Sequence, residues 1–106
     1  MQVTVDLREG FLDDEVVISE GQKELFRAHG ITTRSLSGSA RFVRLTLEAG
    51  SKTLRIAVPT RALERDLTID LSAPLFLGVS ISPKDTLELR VSRVPFGYIG
   101  SRKVKK

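Results

Sequence analysis

Alternation of apolar and polar residues with a period of two is the feature of this sequence that most constrains its fold. Six segments place an aliphatic side chain at every second position, and they are residues 3–7, 43–47, 54–58, 67–71, 75–81 and 87–91. Successive side chains of a β-strand point to opposite sides, so each segment carries an aliphatic row on one face and a polar row on the other. The pattern predicts strands with one buried face.

Two weaker segments, residues 15–19 and 23–28, flank a short connection that contains Gly21. This spacing predicts a β-hairpin. Residues 23–29 have an alternative interpretation as a short helix, because Lys, Glu, Leu and Ala favour helices. The glycine in the connection favours the hairpin.

Turn residues separate these segments at short and regular intervals, which is typical of antiparallel sheets with one buried and one solvated face. None of the connections is long enough to hold the crossover helix that a parallel sheet is expected to need. Residues 60–66 predict one helical turn, with Thr60 as its N-cap and Leu63 as its anchor. We therefore expect an all-β fold, an antiparallel two-sheet β-sandwich of about eight short strands.

The charge of the chain is concentrated at its C-terminal end. Seventeen basic and 13 acidic residues give a net charge of +4, and four of the basic residues lie among the last five positions. The preceding residues are therefore neutral overall. At 106 residues the chain has the length of one domain. We predict a single sandwich domain over residues 1–100 and a disordered basic tail over residues 101–106.

Composition excludes several classes of function. The sequence has no cysteine, which excludes a disulfide scaffold, a thiolate zinc site and a cysteine nucleophile. It has one histidine, His29, and neither a dinucleotide-binding glycine motif nor a P-loop. The N-terminus does not resemble a signal peptide, and no apolar run is long enough to cross a membrane. We expect a cytoplasmic protein that is not an enzyme, has no cofactor and does not enter a membrane.

The densest acidic run is formed by Asp13, Asp14 and Glu15 in a loop between two predicted strands. Several carboxylate oxygens in one loop are the ligands that Ca²⁺ prefers, so this loop is a candidate for a calcium or small polar ligand. Consecutive acidic residues do not by themselves converge on one ion. The alternative is a solvated turn in which Asp13 or Asp14 accepts hydrogen bonds from the nearby backbone.

Four aromatic residues are candidates for contact with a partner protein. Phe42 and Phe76 lie on the outward rows of their predicted strands, where an apolar patch indicates an interaction surface. Phe96 and Tyr98 bracket a glycine directly after the last predicted strand. That segment either presents an exposed anchor or folds back to plug an open end of the sandwich.

Arginines on the outward rows have two interpretations. Arg44, Arg55 and Arg90 could contact phosphate or carboxylate groups of a ligand, or they could form ion pairs across neighbouring strands. The basic tail could attract nucleic acid, although four charges give only weak, salt-sensitive attachment. The sequence favours a non-enzymatic protein interaction or assembly module, which binds a partner protein or a second copy of itself. Ligand binding at residues 13–15 and nucleic-acid binding through the tail are the alternatives.

Overall fold

A computed structural model describes residues 1–96 of the chain. They form eight β-strands and one turn of 3₁₀ helix: β1 (Gln2–Leu7), β2 (Asp14–Glu20), β3 (Lys23–Ile31), β4 (Arg41–Thr46), β5 (Gly50–Val58), η1 (Pro59–Arg61), β6 (Leu63–Leu71), β7 (Leu75–Ile81) and β8 (Leu87–Ser92). The prediction of an all-β fold is confirmed. The predicted tail, residues 101–106, and Tyr98 lie outside the described residues.

The strands form two sheets of four strands each. Sheet I has the order β4-β1-β7-β8, and sheet II has the order β3-β2-β5-β6. Every neighbouring pair is antiparallel except β1 and β7, which run parallel. The prediction of an antiparallel fold is therefore wrong for this pair. A crossover helix is not needed because the chain from β2 to β6 connects the two strands, and most of it forms sheet II.

Aliphatic rows from both sheets supply the buried core. On β1 the row consists of Val3, Val5 and Leu7, each with 0% exposure. On β5 it includes Leu54 and Ile56, which are also fully buried. The buried residues of the two sheets belong to one hydrophobic cluster. Burying each such side chain stabilises the fold by roughly 1.5–3 kcal/mol, which explains why the alternation in the sequence is so regular.

The weaker hairpin prediction is confirmed. β2 and β3 pair antiparallel across the short connection at Gly21, which has a φ of 59°. The helical alternative for residues 23–29 is wrong, because the hydrogen bonds of β3 go to β2. Two register shifts interrupt the pairing, one between Asp14 and Val16 and one between Ile18 and Ser19.

The predicted helical turn over residues 60–66 is also wrong in extent and in its cap. The 3₁₀ turn covers only Pro59–Arg61, its N-cap position is Val58, and no side chain caps it. Ala62 ends the turn in the left-handed conformation, with a φ of 55°. The chain can then enter β6, where Leu67 and Leu71 follow the period of a strand and pack toward the core.

Candidate functional site

Phe42, Phe76 and Phe96 lie on one surface, the side of sheet I opposite its buried rows, which we call the outer face of sheet I. Strand register places Phe42 of β4 beside Asp6 of β1, and Asp6 beside Gly78 of β7. Phe76 lies one row away on β7. Residues that are far apart in the sequence therefore meet because β1 is the central strand between β4 and β7.

The three phenylalanines differ in how much of each ring is accessible. Phe42 is 47% exposed, which is high for a large apolar side chain on a strand. Phe76 and Phe96 are half-buried. The outer face therefore presents one prominent ring at the edge strand and two partly covered rings further in. Tyr98, the fourth aromatic candidate, lies outside the described residues.

Phe96 lies over the middle of β7, between two arginines. The guanidinium carbon of Arg8 is 5.2 Å from the centre of its ring, and that of Arg90 is 5.8 Å from it. Both distances are typical of cation–π contacts. Gly78 makes room for the ring, since a Cβ atom at that position would lie 3.1 Å from two of the ring carbons. The segment after β8 thus turns back across the outer face of sheet I at Phe96.

A buried carboxylate holds the centre of this face in place. Asp6 is only 2% exposed, and it accepts hydrogen bonds from the Ser39 hydroxyl at 2.9 Å and from Arg8 at 2.7 Å. Burying a charged group is costly unless it is paired and hydrogen-bonded, and both conditions are met here. Asp6 consequently fixes the position of Arg8, and Arg8 in turn supports the Phe96 ring.

The outward arginines fall into two groups. Arg55 lies on sheet II and forms ion pairs with Asp66 at 2.8 Å and with Glu64 at 3.5 Å, as the cross-strand interpretation predicts. Arg44 and Arg90 lie on the outer face of sheet I. Within residues 1–96, neither forms an ion pair with a carboxylate. The outer face of sheet I therefore combines aromatic rings with two cations that are available to a partner's acceptor groups.

The acidic loop is spread over three different environments. Asp13 is exposed and has a φ of 54°, a turn conformation that aspartate tolerates. Asp14 is 2% exposed. The carboxylate of Glu15 pairs with Arg27 and lies 3.6 Å from the Nε2 atom of the exposed His29. Among the described residues, no group of three or more His, Cys, Asp or Glu side chains is placed to hold a metal ion.

Asp14 is the centre of a structural network that ties β2 to the 3₁₀ turn. Its two carboxylate oxygens accept hydrogen bonds from the Leu12 amide at 2.8 Å, from the Thr60 hydroxyl at 2.8 Å, and from two nitrogens of Arg61 at 3.0 and 2.9 Å. Arg61 also contacts Asp85 at 2.9 Å. Burial alone would raise the pKa of Asp14, but these hydrogen bonds outweigh it and hold the pKa below its usual value of 3.8. The carboxylate is engaged by this chain itself.

Arg61 and Ser39 are two important residues that sequence reasoning missed. The sequence indicated Thr60 as a helix cap, whereas its hydroxyl donates to Asp14 instead. Asp14 and Arg61 are 47 positions apart, and Asp6 and Ser39 are 33 apart, so no local pattern connects them. The sequence offered only an indirect signal, namely that an acidic residue buried on a strand needs a hydrogen-bond donor from a distant part of the chain.

No family model matches this chain, and no curated protein matches it. Within residues 1–96 the structure contains no helix with the length and hydropathy needed to cross a membrane.

Proposed function

We propose that this chain is a non-enzymatic protein interaction or assembly module, and that its docking surface is the outer face of sheet I. The observation that carries this proposal is the convergence of Phe42, Phe76 and Phe96 with Arg44 and Arg90 on that single face. Aromatic residues and arginine are the types enriched at the energetically important centres of protein interfaces.

A protein partner fits this face better than a nucleic acid does. Binding of single-stranded nucleic acid uses aromatic rings with free faces on which successive bases stack. Here Phe76 and Phe96 are half-buried, and two guanidinium groups approach the Phe96 ring. A surface of partly covered rings beside Arg44 and Arg90, neither of which forms an ion pair within residues 1–96, suits a packed, polar-rimmed protein contact.

The state of the titratable groups supports a non-enzymatic role. Asp6 and Asp14 are buried, and their oxygens are engaged by Arg8, Ser39 and Arg61. A general base must reach the proton that it abstracts, and a carboxylate held by guanidinium groups is a poor one. The exposed His29 has Glu15 as its one ion-pair partner among residues 1–96.

We further infer that the two sheets are stacked as the layers of a sandwich, because their buried rows belong to one hydrophobic cluster. In that arrangement the outer face of sheet I is left for a partner. We also propose a cytoplasmic location, which is supported by the absence of cysteine from the sequence.

The docking surface is tested by comparing three forms of the protein as bait in extract of its source cells. They are the wild type, the double variant Phe42→Ser/Phe76→Ser, and the control Leu12→Ser. Leu12 is 72% exposed and lies in the loop between β1 and β2, so the control removes an equally apolar side chain elsewhere. We expect the proteins that both the wild type and the control retain to be lost from the double variant. Retention of the same proteins by all three would contradict the proposal, provided that circular dichroism shows the variants folded.

A further inference from the structure

We propose that this chain binds a phosphate monoester group in a surface cleft lined by Arg34 and Arg41. This inference goes beyond the docking role proposed above, in which neither arginine takes part. The cleft consists of two hollows with volumes of about 410 and 470 Å³. Arg34, Ala40 and Arg41 line both hollows, so the two adjoin at these residues. The cleft therefore has room for a phosphate group and for the organic part that carries it.

A short loop brings the two arginines together. Arg34 and Ser39 form a β-bridge, in which the Arg34 amide donates to the Ser39 carbonyl at 3.0 Å. The Gly38 amide donates to the Arg34 carbonyl at 2.9 Å, and Gly38 has a φ of 74°, which glycine adopts without strain. β4 then begins at Arg41. The backbone hydrogen bonds of the loop thus keep Arg34 beside the start of β4.

Arg41 is supported by an aromatic ring of the other sheet. Its guanidinium carbon lies 5.4 Å from the centre of the Phe26 ring on β3, a distance typical of a cation–π contact. Phe26 is half-buried and packs against the hydrophobic core, so the ring is a firm support. Within residues 1–96, the Arg41 guanidinium donates to no oxygen atom. Its forked N–H groups can therefore form bidentate hydrogen bonds with an oxyanion.

Thr32 adds a hydroxyl donor to the cleft. It lines the smaller hollow, and its Oγ1 atom accepts a hydrogen bond from the Asp13 amide at 2.9 Å. Within residues 1–96, the Thr32 hydroxyl donates to no other group. A phosphate monoester has three terminal oxygens and nearly two negative charges at neutral pH, whereas a carboxylate has two oxygens and one charge. Two guanidinium groups and a hydroxyl therefore suit phosphate better.

The distribution of acidic side chains places the phosphate at the arginines. Among the described residues, no acidic side chain lines either hollow, and neither arginine forms an ion pair. Asp13 lies near Gly30, and Glu15 lies 3.6 Å from the Nε2 atom of His29, both beside the smaller hollow. Asp6, behind the larger hollow, is buried and paired with a cation of the fold. Glu15 offsets any charge on His29, whereas the charges of the arginines are not offset in this way.

Binding is tested by titrating the full chain with phenyl phosphate and following the backbone amide signals by NMR. We expect saturable shifts concentrated at Gly38 and Ala40. Arg34→Ala and Arg41→Ala should each weaken binding about tenfold or more, because each removes charge-assisted hydrogen bonds. The matched control Arg93→Ala removes the same charge from an exposed arginine outside both hollows, and it should leave the affinity nearly unchanged.

Two further comparisons separate geometry from charge. Arg41→Lys keeps the charge but cannot donate a bidentate pair, so we expect an affinity between those of the wild type and Arg41→Ala. Benzoate should bind more weakly than phenyl phosphate, because it carries a single charge. Full affinity in Arg41→Lys would overturn the bidentate contact, and equal affinity for benzoate would overturn the assignment to phosphate.

Lipid headgroups are a second source of phosphate monoesters. Vesicles that contain phosphatidic acid provide this comparison, with phosphatidylserine vesicles of equal surface charge as their control. Preference for phosphatidic acid that is lost in Arg34→Ala, without binding of phenyl phosphate, supports the cleft and assigns it to a lipid. Binding of phenyl phosphate without that preference supports the cleft and assigns it to a soluble ligand.

Three results would overturn the proposal for variants that circular dichroism shows to be folded. They are failure of the wild type to bind either source of phosphate, equal weakening by Arg34→Ala and Arg93→Ala, and shifts located away from the cleft. None of them affects the capture experiment, because Arg34→Ala leaves Phe42 and Phe76 in place. Phosphate binding and protein docking can therefore each fail alone.

Discussion

Single side chains connect distant parts of this chain through buried charge. Asp14 on β2 is almost completely buried, and Arg61 reaches it from the turn after β5. A paired buried charge is tolerated, whereas removal of one partner leaves the other uncompensated. Asp6 has the same relation to Arg8 and Ser39 on sheet I. In both sites the acidic residue has a structural role because the fold places hydrogen-bond donors from distant parts of the chain around it.

Arg61→Ala should lower the free energy of unfolding at neutral pH by about 3 kcal/mol, because it leaves the Asp14 carboxylate buried with fewer donors. The control Arg55→Ala removes an exposed ion pair that solvent screens, so its loss of stability should be much smaller. Urea denaturation measures both. Equal losses for the two variants would contradict a structural role for Asp14.

The contact between Asp14 and Arg61 also predicts that the stability of the protein depends on pH. The folded-state pKa of Asp14 lies below its usual 3.8, so its stabilising contribution is present above pH 3.8 and is lost as the pH falls through the folded-state pKa. Without Arg61, burial acts in the opposite direction and raises that pKa. The difference in stability between the wild type and Arg61→Ala should therefore shrink as the pH is lowered below about 4. Urea titrations at pH 7 and pH 3 test this, and a constant difference would count against it.

Gly78→Ala should displace Phe96 from the outer face of sheet I. The added Cβ would lie 3.1 Å from the ring and 3.3 Å from the Arg8 side chain, which is closer than ordinary contact. We expect the NMR signals of the Arg8 and Arg90 side chains to lose the shifts that the ring induces. Ser80→Ala, two positions along the same outer row of β7, is the control and should leave those signals unchanged. Unaltered signals in Gly78→Ala would show that the Phe96 ring does not lie against Gly78.

At the scale of elements, the positions of the strands followed expectation, whereas the parallel pairing of β1 with β7 and the turn after β5 did not. The strand rows followed from alternation because burial of aliphatic side chains outweighs other local preferences. The extent of the turn after β5 did not follow from the sequence, because its residues have helix-forming character but are followed by a strand. Ala62 makes the change of direction in the left-handed conformation, which disfavours residues with a Cβ atom.

Ala62→Gly should therefore stabilise the protein by about 0.5 kcal/mol. Relief of the left-handed strain is worth roughly 1 kcal/mol, and the greater freedom of glycine in the unfolded chain offsets part of it. Ala57→Gly, within β5, lacks this strain and should destabilise by about 0.5–1 kcal/mol. Thermal unfolding of both variants measures the contrast. Destabilisation by Ala62→Gly would contradict the claim that the backbone of Ala62 is strained.

At the scale of the whole molecule, the net charge comes from one short segment of the chain. Arg102, Lys103, Lys105 and Lys106 account for the net charge of +4, and the rest of the chain is neutral. Deletion of residues 101–106 should therefore abolish retention on heparin at neutral pH, since retention of a polyanion depends on net positive charge. Salt elution of the full and shortened chains measures it. Unchanged retention would instead place the polyanion contact on the body of the protein.

The sequence by itself determined the all-β class, most of the strands and the identity of the core rows, because alternation is a local property with a period of two. It also placed Phe42 and Phe76 on outward rows. Tertiary structure alone decided that β1 and β7 run parallel, since strand order depends on packing between segments that are far apart in the chain. It likewise decided that Phe96 joins Phe42 and Phe76 on one face, and that Asp14 contacts Arg61. Those contacts arise only when the two sheets have formed.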